Sequence, residues 1–512
     1  MKKAIAHITA LVLAVSLILT MFSACGEDKT HGLKKSDPVS ITLWHYYNGP
    51  QQQAFDSLVS KFNDTLGKEM GILVQASAQG TVNELIDKAM DSLDQEVGAE
   101  SFPDIIAAYA DTAYTINSRG MAADISQYLT EEEQNSYVEE YLEEGKFSEE
   151  SGIQLFPIAK ATEVLMLNET DWAAFSAASG ATEEALSTWE GIVTTAEKYY
   201  NYTDALTPDV PDDGKAFFGR DAVANYLLVG SMQLGEEVFQ VKDGKVTFHM
   251  DPEIFKRLWD NYYVPYINGW FTASGRFRSD DAKTGELIAF VGSTSGAMYF
   301  PTQVTREDAT VYDITCKVLP LPNFEGTQPY AVQQGAGMLV TKSEEKKEYA
   351  ATVFLKWFTE EENNLAFCLA SGYLPVKKEA NSVEQIKKAL SDEEDGNSIL
   401  RQTVENSDLF TENSALYQTL TIGVEMVNDY TLYTNKAFEN GTKARNLLSD
   451  SLTEKLEEDL NQIQKLVDGG MSRSEAAAQY ATDENFESWY HTLQQGLEEL
   501  KYCLLYTSPS PR

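Results

Sequence analysis

The hydrophobic period changes once within residues 41–63, and this change constrains the fold more than any other feature of the chain. Residues 39–44 form a short β-branched and aromatic run, as expected for a buried strand. Asn48-Gly49-Pro50 ends that run. Apolar residues then recur with the spacing of one helical face, at Phe55, Leu58, Val59 and Phe62. The segment therefore predicts a strand, a short loop and an amphipathic helix, the unit of an α/β sheet.

The loop of this unit carries aromatic side chains at the carboxyl end of the predicted strand. In open α/β sheets this end is where ligands usually bind. Trp44, His45, Tyr46 and Tyr47 offer flat apolar faces with polar edges, and the loop lacks the glycine spacing and the lysine of a phosphate site. A sugar-like solute therefore fits this loop better than a nucleotide. The alternative interpretation is an aromatic first strand without a ligand.

Length and charge limit the possible architectures and partners. With 512 residues the chain exceeds one typical core, which predicts two lobes or domains. Its formal net charge of −39 argues against nucleic acid and against an anionic membrane surface as partners. The charge is compatible with a secreted or surface protein.

The amino terminus has the pattern of a targeting segment. Lys2 and Lys3 precede an apolar run over residues 8–22, which ends at Phe22-Ser23-Ala24-Cys25. These four residues resemble the lipobox of bacterial lipoproteins. The resemblance implies a signal peptide over residues 1–24, a diacylglycerol on Cys25 and a tether over residues 25–38, which would hold the protein on the extracellular face of the membrane. The alternative is an ordinary secretory signal with an incidental cysteine.

The carboxyl end of the chain does not continue the pattern of the amphipathic segment before it. Residues 503–512, CLLYTSPSPR, resemble the translation of a sequencing-library adapter, which predicts a non-native tail over residues 502–512. A genuine disordered tail is the alternative.

Cys316 and Cys368 show no zinc or redox spacing. They could pair outside the cell, but we expect two buried free thiols.

Six segments, in one order, resemble the bacterial extracellular solute-binding proteins, the maltose-binding-like family that serves ABC importers. Residues 161–168, ATEVLMLN, are similar to the STEVLYYNK segment of that family, and residues 370–376, ASGYLPV, to its ATGYLPV segment. Weaker matches lie at residues 41–45, 102–106, 187–192 and 290–298. The resemblance covers residues 39–378 well and the rest loosely.

The resemblance implies a two-lobed α/β fold of the periplasmic-binding-protein type II class, in which each lobe is a sheet flanked by helices and a hinge joins the lobes. It places the N-terminal lobe at residues 39–157 and 337–372, and the C-terminal lobe at residues 158–336 and 373–501. The chain would cross between the lobes near residues 156–160, 333–337 and 372–376. The implied partners are a small carbohydrate and the permease subunits of an ABC transporter, with a monomeric receptor.

The family pattern also implies which residues meet the ligand. We expect Asp111 and Tyr373 to be the principal contacts, and Trp270 to add a stacking surface. The full set of expected ligand-binding residues is Trp44, Tyr46, Tyr47, Tyr109, Asp111, Thr162, Glu163, Trp270, Ser293, Thr294, Tyr299, Gly335 and Tyr373.

The sequence shows no constellation for catalysis, metal binding or a cofactor. His45, His249 and His491 stand alone, and the run of residues 292–296, GSTSG, is not a nucleophile elbow. We therefore expect no catalytic residue, metal or cofactor, and no enzyme activity. An extracellular glycan hydrolase needs only two carboxylates and stays an alternative, as does a surface lipoprotein that only displays glycan.

Glycerol 3-phosphate is the alternative solute within the same family. Its phosphate calls for basic side chains, and residues 421–424 contain no arginine. Ala110 also stands where that pattern has an acid. An uncharged mono- or oligosaccharide is therefore the favoured ligand.

Overall fold

Two four-stranded sheets organise the computed structural model, which describes residues 30–148, 150–242, 244–391 and 411–507. The predicted signal peptide and Cys25 lie outside these residues. The strands are β1 (Val39–His45), β2 (Ile72–Ala78), β3 (Ile105–Ala108), β4 (Glu163–Asn168), β5 (Phe218–Arg220), β6 (Phe239–Lys242), β7 (Lys245–Phe248), β8 (Ala289–Ser293), β9 (Gln303–Thr305), β10 (Val311–Asp313), β11 (Cys316–Leu319), β12 (Tyr330–Val332), β13 (Gly337–Val340) and β14 (Thr431–Tyr433).

Helices cover the sheets and form a C-terminal layer. They are α1 (Gly49–Asp64), α2 (Leu66–Met70), α3 (Val82–Leu93), α4 (Ala110–Ser118), α5 (Glu131–Ser136), α6 (Glu139–Glu143), α7 (Glu169–Ser179), α8 (Trp189–Asp204), α9 (Val223–Gln233), α10 (Pro252–Asp260), α11 (Tyr263–Ile267), α12 (Arg278–Thr284), α13 (Glu345–Phe358), α14 (Glu361–Ser371), α15 (Val383–Ser391), α16 (Ala415–Asp429), α17 (Gly441–Asp468), α18 (Arg473–Ala478) and α19 (Asp483–Thr507). Because α19 runs to Thr507, it includes the first residues of the predicted non-native tail.

The first sheet has the strand order β13-β3-β1-β2 and forms the centre of the N-terminal lobe. Strands β1, β2 and β3 are parallel, and β13 pairs antiparallel with β3. The strand, loop and helix predicted from the period change are present as β1 and α1, and Pro50 lies in the first turn of the helix. Phe55, Leu58 and Phe62 are fully buried, so this helical face packs into the core as predicted.

The second sheet has the order β11-β4-β8-β5 and forms the centre of the C-terminal lobe. Strand β4 is antiparallel to both β11 and β8, and β5 is parallel to β8. Together the two sheets confirm the two-lobed α/β fold that the resemblance implied. The exact lobe boundaries stay a prediction.

Three chain segments connect the lobes side by side. Phe156 pairs with Met338, Ala161 with Gln334, and Lys160 with Leu374, each as an isolated antiparallel bridge. These bridges lie at or next to the segments where the resemblance implies the crossings, residues 156–160, 333–337 and 372–376, and those crossings stay a prediction. Gly335 has a left-handed φ of 96°, and a Cβ there would lie 3.0 Å from the carbonyl oxygen of Ala159, so the close approach of two crossings needs glycine.

The C-terminal helices add a layer to the second lobe. Helix α17 packs against α9 and α19 and buries Leu448, Leu452 and Ile463. Together with Leu456 these residues form a leucine stripe at helical spacing, and this stripe faces the core. Cys316 and Cys368 are both buried free thiols, as expected, and burial raises the pKa of each.

Candidate ligand-binding cleft

A cavity of about 540 Å³ lies between the two lobes, beside the crossing segments. Its walls come from the first turns of α3 and α4 in the N-terminal lobe, from the start of α9 and the first turns of α17 in the other lobe, and from the crossing near residue 333. Residues lining it include Asn83, Tyr109, Asp111, Glu144, Asn225, Ser293, Ser295, Gln333, Gln334, Asn435, Thr442, Arg445, Asn446 and Ser449. A cavity walled by both lobes is where a hinged protein can enclose a solute.

A tyrosine group stands at one side of this cavity. The rings of Tyr46 and Tyr109 are stacked, with centroids 6.3 Å apart and planes 17° from parallel. The side chain of Tyr373 interacts with Tyr46 and with Ser295, and Ser295 lines the cavity. Burial raises the pKa of Tyr46, Tyr109 and Tyr373, so all three keep neutral hydroxyls that can donate hydrogen bonds. Tyr109 remains 41% exposed and offers its ring to the cavity.

Asp111 supplies a hydrogen-bond acceptor without a partner. It lies in the first turn of α4 and faces the start of α17, where a Cβ on Gly441 would come within 2.3 Å of its Oδ1. Oδ1 is buried and accepts no hydrogen bond. Burial raises the pKa of Asp111 to about 6, while Arg445 and the backbone at Phe438 act in the opposite direction. A buried acceptor of this kind suits a ligand hydroxyl.

A hydrogen-bond network fixes the polar wall of the C-terminal lobe. Glu163 forms a buried ion pair with Arg220 and accepts a 2.8 Å hydrogen bond from Asn225 Nδ2. Arg445 Nη2 donates to Asn225 Oδ1 over 2.6 Å, and its Nη1 donates to Asn435 Oδ1 over 2.9 Å. Each member therefore orients the next, from the buried ion pair outward to the arginine in the cavity.

A second network joins the cavity to the crossing segments. Lys160 is fully buried, forms an ion pair with Glu144 and donates a 2.9 Å hydrogen bond to the carbonyl of Gly335. Gln333 Nε2 donates to the same Glu144 carboxylate over 2.9 Å. Glu144 and Gln333 line the cavity, so this network connects the cavity wall to the crossing segments.

The structure brings together five of the expected ligand-binding residues. Tyr109, Asp111 and Ser293 line the cavity, Tyr46 stacks on Tyr109, and Tyr373 interacts with Tyr46 and Ser295.

Four other expected residues support the cavity from behind. Trp44 and Tyr47 belong to the core of the N-terminal lobe, with exposures of 5% and 2%. Thr294 donates its backbone N–H to the carbonyl of Thr162 over 2.8 Å, which holds the turn after β8 against the start of β4.

The remaining four expected residues occupy other places. Glu163 is buried in its ion pair behind the wall, and Gly335 is part of a crossing. Tyr299 is 56% exposed at the end of a 3-10 turn and does not line the cavity. Trp270 accepts a backbone hydrogen bond from Phe217 and packs at the edge of the core, away from the cavity, because its backbone is tied to the start of β5.

The sequence reasoning missed the amide and arginine side of the cavity. Asn225, Asn435 and Arg445 carry that wall, although the argument against an anionic ligand considered only residues 421–424. One available signal was a polar face at the start of α17, where Thr442, Arg445, Asn446 and Ser449 recur at helical spacing ahead of the leucine stripe.

In the part of the chain that the structure describes, no three histidine, cysteine, aspartate or glutamate side chains come close enough to bind a metal ion. Over the same residues, no helix has the length and apolarity needed to cross a membrane.

The family model described as bacterial extracellular solute-binding protein matches residues 57–391, which is more than half of the chain. The chain belongs to this family of bacterial extracellular solute-binding proteins. The family consists of substrate-binding proteins rather than enzymes. No curated protein sequence matches this solute-binding protein.

Solved structures share the fold of this solute-binding protein at low sequence identity. The cyclic alpha-maltosyl-1,6-maltose binding protein of Arthrobacter globiformis is 15% identical with a TM-score of 0.58, over 89% of this chain and 99% of that chain. UgpB from Mycobacterium tuberculosis, in complex with glycerophosphocholine, is 17% identical with a TM-score of 0.56, over 90% and 99% of the two chains. The maltose/maltodextrin-binding domain MalE from Bdellovibrio bacteriovorus, bound to maltotriose, is 15% identical with a TM-score of 0.54, over 90% and 100%.

Proposed function

We propose that this solute-binding protein captures an uncharged sugar in the interlobe cleft and delivers it to the permease of an ABC importer. The observation that carries the proposal is the combination of the Tyr109 ring with the unpartnered Oδ1 of Asp111 in one cavity. An aromatic face packs on the apolar C–H surface of a sugar, while a carboxylate accepts hydrogen bonds from its hydroxyls.

The balance of charge in the cleft favours an uncharged ligand. Arg445 is the cationic side chain that lines the cavity, and two neutral amides, Asn225 and Asn435, already accept its hydrogen bonds. Asp111 and Glu144 line the same cavity with acidic groups. Glu144 is neutralised by Lys160, which leaves Arg445 opposite Asp111. A phosphate would meet one cation and one carboxylate, whereas a neutral polyol needs no net positive charge in the cleft.

Closure of the lobes is the proposed means of capture. The cavity takes walls from both lobes and from the crossings, so a ligand that contacts all three stabilises the closed form more than the open form. The permease would recognise that closed form. The protein acts as a monomer, and binding leaves the sugar chemically unchanged.

The first test is ligand-induced thermal stabilisation. Mono-, di- and oligosaccharides and glycerol 3-phosphate would be screened by differential scanning fluorimetry, with product analysis by chromatography. A sugar at a hundred times its dissociation constant should add about 2.7 kcal/mol of stability and raise Tm visibly. The D111A variant should lose that rise, because it lacks the acceptor in the cleft. The D91A variant, at an exposed aspartate on α3, is the control and should keep it.

Each other outcome of this screen contradicts a definite part of the proposal. Stabilisation by glycerol 3-phosphate alone would replace the sugar by a phosphate ester. Formation of a hydrolysis product would establish a glycan hydrolase. No stabilisation by any member of the panel would argue against a sugar receptor of this kind.

We also propose that Cys25 carries the lipid that anchors the protein outside the cell, since it ends the lipobox-like run of residues 22–25. Two acyl chains hold a protein on a membrane far more firmly than one. The C25S variant, expressed in a bacterial host, should move from the membrane fraction to the soluble fraction or the medium. The C316S variant is the matched control, because a buried thiol is not a lipidation site. An unchanged membrane fraction for C25S would contradict the anchor.

A further inference from the structure

A second cavity of about 910 Å³ lies beside the cleft, within the C-terminal lobe. The two cavities share Val223, at the start of α9, and Ser449, on α17. Asp221 lines the second cavity, and its neighbour Ala222 lines the cleft. The second cavity, a groove along the C-terminal lobe, therefore adjoins the cleft at Val223 and Ser449.

One face of helix α17 forms a common wall for both cavities. Thr442, Asn446 and Ser449 line the cleft, and Ser449, Thr453 and Leu460 line the groove. This spacing is that of residues on one side of a helix. At 1.5 Å of rise per residue, the wall from Thr442 to Leu460 is about 27 Å long. A wall of this length serves an elongated ligand.

The groove carries hydrogen-bonding groups that have no partner within the protein. Arg220 is only 3% exposed, and its Nη1 is buried without a hydrogen-bond partner. The Nε atom of Arg473 is also buried without a hydrogen-bond partner, and both arginines line the groove. Buried donors are normally satisfied, so two of them in one cavity point to a ligand that supplies acceptors.

The charges around the groove are largely compensated. Arg220 is paired with Glu163, and Arg278 with Asp221 and Asp281. The side chains of Tyr200, Tyr262 and Tyr266 line the same space. Compensated charges, unpartnered donors and tyrosines suit a neutral ligand rich in hydroxyl and ether oxygens rather than a multiply charged one.

We infer that the ligand is an oligosaccharide that begins in the interlobe cleft and extends past Ser449 into the groove along α17. This inference rests on the proposed function and deepens it, since it assigns the groove as an extension of the sugar site. One end of the ligand contacts Tyr109 and Asp111, and the later sugar units contact the groove. A monosaccharide would fill the cleft alone and leave the groove empty.

The experiment measures affinity against chain length. Linear oligosaccharide series of one to seven units, from glucans, xylans, galactans and fructans, would be titrated by isothermal calorimetry against the full chain. Within the series that binds, affinity should rise by about tenfold or more between the shortest binding member and the longer ones. A continuous groove predicts this rise, because each added unit finds new contacts.

A pair of matched variants assigns the rise to the groove. In T453W the indole occupies the groove beyond Ser449, so the ratio of long-chain to short-chain affinity should fall towards one. T492W makes the same substitution on α19 and is the matched control. Thr453 and Thr492 are both exposed, and each hydroxyl donates a 2.9 Å hydrogen bond to the carbonyl four residues earlier. T492W should keep the wild-type ratio.

The outcomes separate this inference from the proposed function. Binding of a short sugar with no gain from added units would overturn the groove and leave the sugar receptor standing. An equal fall of the ratio in T453W and T492W would overturn the groove as well. No binding of any saccharide would overturn both, and a gain that survives T453W would place the extension outside the groove.

Discussion

The E163A variant is expected to lower the free energy of unfolding by about 3–5 kcal/mol, the range for a broken buried ion pair. Glu163 and Arg220 are 1% and 3% exposed. Removal of the carboxylate leaves the guanidinium without its ionic partner in a site where Trp189 and Tyr226 cover it, with ring centroids 5.3 and 5.5 Å away. The uncompensated charge is the source of the large effect.

The measurement is urea denaturation of the wild type and E163A, followed by circular dichroism. The D94A variant breaks an exposed ion pair with Arg119 and should cost less than about 1 kcal/mol. The double variant E163L/R220M removes both charges and should recover most of the loss. If E163A costs no more than D94A, the ion pair does not hold this lobe together.

E163A should also weaken ligand binding, although Glu163 does not line the cleft. The carboxylate accepts a hydrogen bond from Asn225, and Asn225 in turn accepts from Arg445. Without the Glu163 carboxylate, Asn225 is no longer held in place, and Arg445 then loses its fixed position in the cavity.

The second large effect concerns pH. We expect Asp111 to make the stability of the unliganded protein depend on pH. Its folded-state pKa is raised from 3.8 to about 6. The folded state therefore binds the proton more tightly than the unfolded state. The stabilisation is fully present below about pH 4, and it is lost as the pH rises through about 6. At 1.36 kcal/mol per pH unit, the loss amounts to as much as about 3 kcal/mol.

The D111N variant cannot ionise and should not show this loss. Wild type and D111N would be denatured with urea at pH 4.5 and pH 7.5. The wild type should lose about 2 kcal/mol relative to D111N between these two values. D91N, at an exposed aspartate, should follow the wild type at both pH values. Parallel changes in wild type and D111N would show that the carboxyl group of Asp111 is not responsible.

Local sequence patterns predicted the elements with a clear hydrophobic period. The strand and the helix predicted within residues 39–63 are present as β1 and α1. Both are short segments in which the spacing of apolar residues alone decides the structure. The family resemblance supplied the two-lobed fold and the three crossings, which no local pattern can give.

The cleft was predicted on one side only. Tyr109 and Asp111 follow β3 directly, so their position follows from the rule that ligands bind beyond the carboxyl ends of parallel strands. Arg445 and Asn435 reach the cavity from a segment far along the chain, where helix packing decides which polar residues face inward. Trp270 does not line this cavity, because aromatic character alone does not reveal which side of the lobe a residue faces.

The crossing segments also fix the order in which the protein can be completed during synthesis. In the first sheet, Ile105 of β3 pairs with Val340 of β13, and all strands of the second sheet lie between them in the sequence. A chain made from its amino terminus can therefore assemble the second sheet first. The edge of β3 stays open until β13 emerges, and a nascent or translocating chain must keep that edge from pairing elsewhere.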